Sequence, residues 1–176
     1  KQWDTSSYRN QRTKESQDKV KSKDMVKTYM EWEKNNPNTP VDVEAKFRIE
    51  INDVTISGMI DRVEQTPEGE YEVVDFKTGY AYKNKNTIKE DVQMNIYALG
   101  TEKLYGKLPK KTSLFYIKDN KFVPHFIEKE ALDAFTKALG EKVDNIFDEK
   151  FDAAPEFRKC SRCDYASICD AKEEVS

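Results

Sequence analysis

Cysteine and histidine are scarce in this 176-residue chain, which has three of the first and one of the second. The three cysteines cluster near the C-terminus, an odd number in one place. That suits metal ligation better than the disulfide framework of a secreted domain. No apolar run approaches the 18 residues that a membrane-spanning helix needs. A signal-peptide pattern is missing from the start. The chain begins at Lys1 instead of Met, which suggests a piece of a longer polypeptide. Neither repeats nor low-complexity tracts occur. Lys and Arg total 30 against 33 Asp and Glu, a formal charge of −3. Such a balance argues against a passive polybasic nucleic-acid binder, although a local basic groove is compatible with it. Aromatic residues make up 11% of the chain, enough large side chains to build a core despite the high charge. The length fits one domain: residues 1–15 as a loosely ordered lead-in, 16–157 as the core and 158–176 as a cysteine-bearing tail.

Hydrophobic period then orders the elements. A helix is expected from Ser16 to Lys34, with Met25, Tyr29 and Trp32 on one face and Val26 and Met30 beside them. Pro37 stops it. Val43, Ala45, Phe47, Ile49 and Ile51 alternate with charged residues, the mark of a half-buried strand. After an Asn52-Asp53 turn, a second strand runs from Val54 to Asp61. Beyond the turn at Thr66–Gly69, a third runs from Tyr71 to Lys77. A helix over Ile88–Tyr105 carries an apolar stripe of Val92, Ile96 and Leu99. Strands over Ser113–Lys118 and Phe122–Ile127 follow. The last long helix, Lys129–Lys150, has Leu132, Phe135, Leu139, Val143, Ile146 and Phe147 in its stripe. Helix, three strands, helix, two strands and helix make an α/β (α+β) domain with a mixed central sheet.

Val73-Val74-Asp75-Phe76-Lys77 is the most informative stretch. Two opposite charges end an apolar strand two residues apart, so both side chains leave one face. Asp61 ends the preceding strand. A simple hairpin joins the end of one strand to the start of the next, so period alone does not make the two Asp neighbours. Two carboxylates suit a hard cation, Mg²⁺ or Mn²⁺, which takes oxygen ligands and keeps waters and phosphate oxygens. Such a metal polarises a phosphoryl oxygen and yields hydroxide from bound water. Lys77 would orient that water or stabilise developing charge on phosphorus. An ordinary Asp–Lys pair at a strand end has the same sequence. Gln93 and Tyr97, four apart on one helical face, read either as hydrogen-bonders to a nucleic acid or as a boundary and a core residue. Tyr80, Tyr82, Lys83, Lys85 and Lys89 interleave rings with positive charge, as a strand-binding groove does; a solvated loop reads the same way. Lys107, Lys110 and Lys111 read as a solvated basic turn. His125, on an expected strand, reads as a surface or boundary residue.

In order along the chain stand Gly58-Met59-Ile60-Asp61-Arg62-Val63, Val74-Asp75-Phe76-Lys77-Thr78-Gly79, Gln93-x-x-x-Tyr97 and Cys160-x-x-Cys163-x5-Cys169. This series resembles the PD-(D/E)XK nuclease superfamily over about Val43 to Asp170. Within that superfamily it is most similar to the RecB/AddB branch of helicase–nucleases and CRISPR-adaptation exonucleases. The resemblance implies a restriction-endonuclease-like core and a metal-dependent DNA nuclease of repair or recombination. Asp61 and Asp75 would be metal carboxylates, the Phe76 carbonyl a further ligand, and Lys77 the catalytic lysine. Gln93 and Tyr97 would hold the DNA strand, with Tyr80 and Lys83 as further substrate contacts. It also implies that both carboxylates meet at one end of a bent sheet. DNA, single-stranded or as duplex ends, would be the partner, together with a helicase domain, in the cytoplasm. Relatives usually add a His ligand from an upstream helix, which has no counterpart here. An alternative is therefore a non-catalytic DNA- or protein-binding module on a degenerate nuclease fold. In relatives, Cys160, Cys163 and Cys169 would join one upstream Cys around a [4Fe–4S] cluster. No upstream Cys exists here, which leaves iron–sulfur, zinc and no metal all open.

Overall fold

The computed structural model describes residue 6 and residues 11–171. Part of the expected lead-in, residues 1–5 and 7–10, and the end of the tail, residues 172–176, lie outside the described residues. The elements are α1 (Arg12–Asn35), β1 (Thr39–Ile51), β2 (Val54–Gln65), β3 (Tyr71–Lys77), α2 (Val92–Tyr105), β4 (Lys111–Tyr116), β5 (Lys121–Phe126), α3 (Lys129–Phe147) and the single turn α4 (Phe157–Cys160). The five strands form one sheet in sequence order. β3 and β4 run parallel and the other neighbours antiparallel. The parallel pair needs a crossover, which α2 supplies. A mixed sheet flanked by helices is the expected α+β architecture.

Each face of the sheet takes a different helix. α2 covers the face where Ala45, Phe47, Ile49, Ile60, Val63, Val73, Leu114 and Val123 form the core with its own Met94 and Tyr97. α1 lies on the other face through Tyr29 and Trp32, whose rings meet Phe76, Phe115 and Phe122 at centroid distances of 5.3–5.8 Å. None of its 24 residues is fully buried. Val26 and Met30, expected beside the buried stripe, are exposed.

Several boundaries differ from expectation for local reasons. α1 begins at Arg12, inside the stretch expected to be loosely ordered. β1 is longer at its start, but Val43 faces solvent there. Glu44 adopts a left-handed φ of 54°, which breaks the alternation just before Ala45. Asn52 and Asp53 both have positive φ, as a two-residue hairpin of this hand requires. β2 runs four residues past Asp61, to Gln65. α2 starts at Val92 instead of Ile88, because Asp91 caps it by accepting from the Met94 N–H at 3.1 Å. Its buried residues are Met94, Asn95, Tyr97, Ala98, Gly100 and Thr101; the expected stripe fails at Val92, which is exposed. Ile117–Asp119 is a 3₁₀ turn, so β4 ends at Tyr116. α3 stops at Phe147, and both Ile146 and Phe147 are exposed. His125 is not a surface residue: it is 8% exposed and lies 3.4 Å from Asn95 Oδ1.

Candidate active site

The hairpin between β2 and β3 decides the geometry. Gln65 pairs with Tyr71, Val63 with Val73 and Arg62 with Val74. Asp61 lies four residues before the first of these pairs and Asp75 four after it. One further step of the same register sets the two carboxylates across from each other. β2 extends past Asp61, so the hairpin that would have separated them instead aligns them. Asp61 Oδ2 accepts the Phe76 N–H at 2.9 Å, which ties the two strands at the site. Val73, Asp75 and Lys77 share the α2 face by alternation.

A hydrogen-bonded cluster surrounds Asp75, which is only 2% exposed. The Lys77 ammonium sits 2.6 Å from Asp75 Oδ2. Gln93 Nε2 donates to Asp75 Oδ1 at 3.0 Å and to the Tyr97 hydroxyl at 2.8 Å. Lys77 Nζ donates to Gln93 Oε1 at 3.1 Å. Tyr97 in turn donates to Asp75 Oδ1 at 3.4 Å. One turn of α2 thus grips both charged residues at the end of β3. The helix is held close by small contacts. The Phe47 ring lies between Gly58 of β2 and Gly100 of α2, where an added Cβ would approach it within 2.5 and 2.7 Å respectively. Tyr97 meets the same ring edge-on at 6.1 Å.

The electrostatics follow from burial. Desolvation pushes the Asp75 carboxyl above its ordinary range, against the opposing pull of Lys77, and the charge of Asp61 adds repulsion. Burial also pushes Tyr97 up to about 12, so its hydroxyl stays protonated and can donate. Two facing carboxylates, one buried and repelled, form an arrangement that a cation relieves. All the donors are oxygen, and Asp75 Oδ2 lacks any hydrogen-bond partner although it contacts the Lys77 ammonium. These residues fit Mg²⁺ or Mn²⁺, which one or two carboxylates suffice to hold when waters and phosphate complete the shell. Among the described residues no group of three or more His, Cys, Asp or Glu is arranged to hold a metal. Cys160, Cys163 and Cys169 are free thiols, none fully buried, and they do not by themselves fit a four-ligand centre.

The loop that follows Lys77 is aromatic and basic. Tyr80 and Tyr82 are 70% and 74% exposed. Lys118 Nζ lies 3.3 Å from the centre of the Tyr80 ring. Asp119 Oδ2 accepts the Ala81 N–H at 2.6 Å, pinning the loop that follows Lys77 to the 3₁₀ turn. Lys83 is paired with Asp91, so part of its charge is answered within the protein. Lys107 pairs with Glu70 in solvent, as a solvated basic turn would, whereas Lys111 opens β4 and pairs with the buried Glu72, so it is a strand residue and not part of a solvated turn. Sequence reasoning missed Phe47 and Gly100 as supports of the site, and Lys118 and Asp119 as contacts of the loop after Lys77. Arg62 stood in the motif around Asp61, but no role was read for it; its guanidinium lies on the α1 side of the sheet.

A family model of the PD-(D/E)XK nuclease superfamily matches residues 1–170. The gene 69 protein of Mycobacterium phage D29 is 30% identical over 133 residues, 72% of this chain and 47% of that protein. The gene 69 protein of Mycobacterium phage L5 is 28% identical over 133 residues, 72% of this chain and 43% of that protein. The chain spans about half the length of these curated relatives. The crystal structure of SSO0001 superimposes with a TM-score of 0.49 at 17% identity, covering 84% of this chain and 68% of that one.

Proposed function

The chain belongs to the PD-(D/E)XK nuclease superfamily, and from that membership we propose that it is a metal-dependent DNA nuclease cutting phosphodiester bonds. The observation that carries this reading is the meeting of Asp61, Asp75 and Lys77 at one point of the sheet. Asp61, Asp75 and the Phe76 carbonyl would hold Mg²⁺ or Mn²⁺. The metal supplies a polarised phosphoryl oxygen and an acidified water. Lys77, a third exposed at the mouth of the site, offers an ammonium to the scissile phosphate or the attacking water. Gln93 keeps Lys77 and Asp75 in register, and Tyr97 braces Gln93. Tyr80, with Lys118 over its ring, and Lys83, beside Tyr82 and paired with Asp91, would offer rings and charge to the substrate strand.

The likeness of the motif series to the RecB/AddB branch supports an exonuclease role in DNA repair or recombination, in the cytoplasm and beside a helicase module. The cysteines support a separate proposal, an iron–sulfur or zinc centre completed by a ligand from outside this set of three. Iron and zinc analysis of the purified protein tests it, and absence of both metals refutes it. One observation favours a second reading, a DNA-binding module without catalysis: no third acidic or histidine ligand joins the two Asp among the described residues. One assay decides between the two. Labelled single- and double-stranded DNA is incubated with Mg²⁺ or Mn²⁺, beside EDTA and Lys77→Ala controls. Metal-dependent cutting lost in the variant supports the nuclease. Metal-independent binding without cutting supports the module.

A further inference from the structure

Arg62 follows the candidate metal ligand Asp61 and points to the opposite face of the sheet. It is 4% exposed. A buried guanidinium is costly unless answered, and here carboxylate oxygens lie close to all three of its nitrogens, although Nε has charge contact without a hydrogen bond. The two carboxylate oxygens of Glu33, on α1, lie 2.8 Å from Nη1 and 3.0 Å from Nη2, an ion pair whose hydrogen bond is the one from Nη2. Glu64 Oε1 lies 2.6 Å from Nε. Nη1 also donates to the Tyr29 hydroxyl at 3.2 Å, and the Trp32 ring covers the guanidinium at 5.1 Å. Asn36, just past α1, donates to Glu64 at 2.7 Å and closes the cage.

The sheet itself holds Asp61 poorly on one side. β1 and β2 pair at Val43–Arg62 and again at Ala45–Ile60, but the step between them falls on Glu44, whose φ is 54°. Asp61 is therefore flanked by irregular backbone on β1 and by the Phe76 N–H on β3. The fixed points beside it on its own strand are Ile60, buried and paired with Ala45 on the α2 side, and Arg62 on the α1 side. Rotation of the strand about its axis would swing Asp61 and Arg62 together, since they project from opposite faces of one backbone. α1, which has no fully buried residue, meets this part of the sheet through Glu33, Tyr29 and Trp32.

We propose that Arg62 and Glu33 are positioning residues that aim the Asp61 carboxylate at the metal, so that the seating of α1 sets metal affinity. This rests on the reading of Asp61 and Asp75 as metal ligands. Outer residues that orient ligands typically change metal affinity by about 10- to 100-fold.

The test is Mn²⁺ titration of the metal-free protein by calorimetry, with melting temperature measured in parallel. Arg62→Lys keeps the charge but loses the fork, and Glu33→Gln keeps the shape but loses the charge. Both are expected to fold and to bind Mn²⁺ about tenfold more weakly. In cleavage, the Mn²⁺ concentration for half-maximal rate rises by the same factor while the rate at saturating Mn²⁺ holds. Glu72→Gln is the control. Glu72 faces Glu64 across β2 and β3 and is held by Lys111 and by Asn38, whose amide also reaches Glu64 at 3.3 Å, so it touches the Arg62 cage only at second hand. It should lower the melting temperature without moving Mn²⁺ affinity. If Arg62→Lys and Glu33→Gln lose stability yet bind Mn²⁺ as the parent does, the pair is merely structural and the proposal falls alone. A parent protein that binds no Mn²⁺ overturns the metal site and this proposal with it.

Discussion

Replacing Gly100 by Ala tests how the core fixes the site. The new Cβ would stand 2.7, 2.8 and 2.9 Å from three carbons of the Phe47 ring. Carbon atoms prefer about 3.5–4.0 Å. The ring has no room to retreat, because Gly58 lies against its far edge and Phe47 is 3% exposed. Overpacking of this kind costs about 1–3 kcal/mol. Ala is favoured over Gly in a helix interior by about 1 kcal/mol, so a cost near the upper end leaves a net loss of about 1–2 kcal/mol. For a domain of this size that lowers the melting temperature by about 2–4 °C per kcal/mol. The helix relieves the clash by lifting from the sheet, and it carries Gln93 and Tyr97 with it. Cleavage should therefore fall more than the lost folded fraction explains. Urea and thermal unfolding measure the first effect, and initial rates well below the melting temperature measure the second. Phe47→Leu opens space for the methyl, so the double variant should be more stable than the sum of the single effects by about 0.5–3 kcal/mol. A Gly100→Ala protein as stable as the parent, or strict additivity with Phe47→Leu, would refute the reasoning.

Three further outcomes follow from the electrostatics and the hydrogen-bond network. Burial raises the Asp75 carboxyl above its unfolded value, so its contribution to stability is present at low pH and is lost as pH rises through the folded-state value. Without metal at neutral pH its charge is a net burden; Asp75→Asn should abolish cutting while keeping or raising the melting temperature, and a large fall would contradict this. His125 behaves in the opposite sense. Burial, helped by Lys89 and opposed by Asp91 and Glu128, lowers its value below the ordinary 6.5. The unfolded chain then binds a proton that the folded one refuses, so stability falls as pH drops below about 6.5. In His125→Gln that acid limb should flatten, and an unchanged profile in denaturant titrations across this range would count against it. Tyr97→Phe deletes one hydroxyl from the cluster, whereas Gln93→Leu deletes the contacts to Lys77, Asp75 and Tyr97. At about 0.5–1.5 kcal/mol per hydrogen bond, the Gln93 variant should lose more cleavage rate, and equal losses would show that Gln93 is not the bridge.

Period and punctuation determined much of this protein. The alternation from Ala45 to Ile51, the Asn52-Asp53 turn and the apolar Val73-Val74 each state a local preference that the fold obeys. Charges at Asp75 and Lys77 were legible because a strand interior tolerates them only for a reason. Gln93 and Tyr97 were legible as a pair because four residues make about one helical turn. The meeting of Asp61 with Asp75 could not be read from period. It depends on how far β2 continues, and Glu64 and Gln65 look like residues that end a strand. The tertiary structure makes Glu64 a strand residue by burying it against Arg62 and Asn36. Burial of His125 and Arg62 was hidden for the same reason: a polar side chain is admitted to the interior only when partners distant in sequence answer it. Those partners, Asn95 for His125 and Glu33 for Arg62, lie about 30 residues away along the chain.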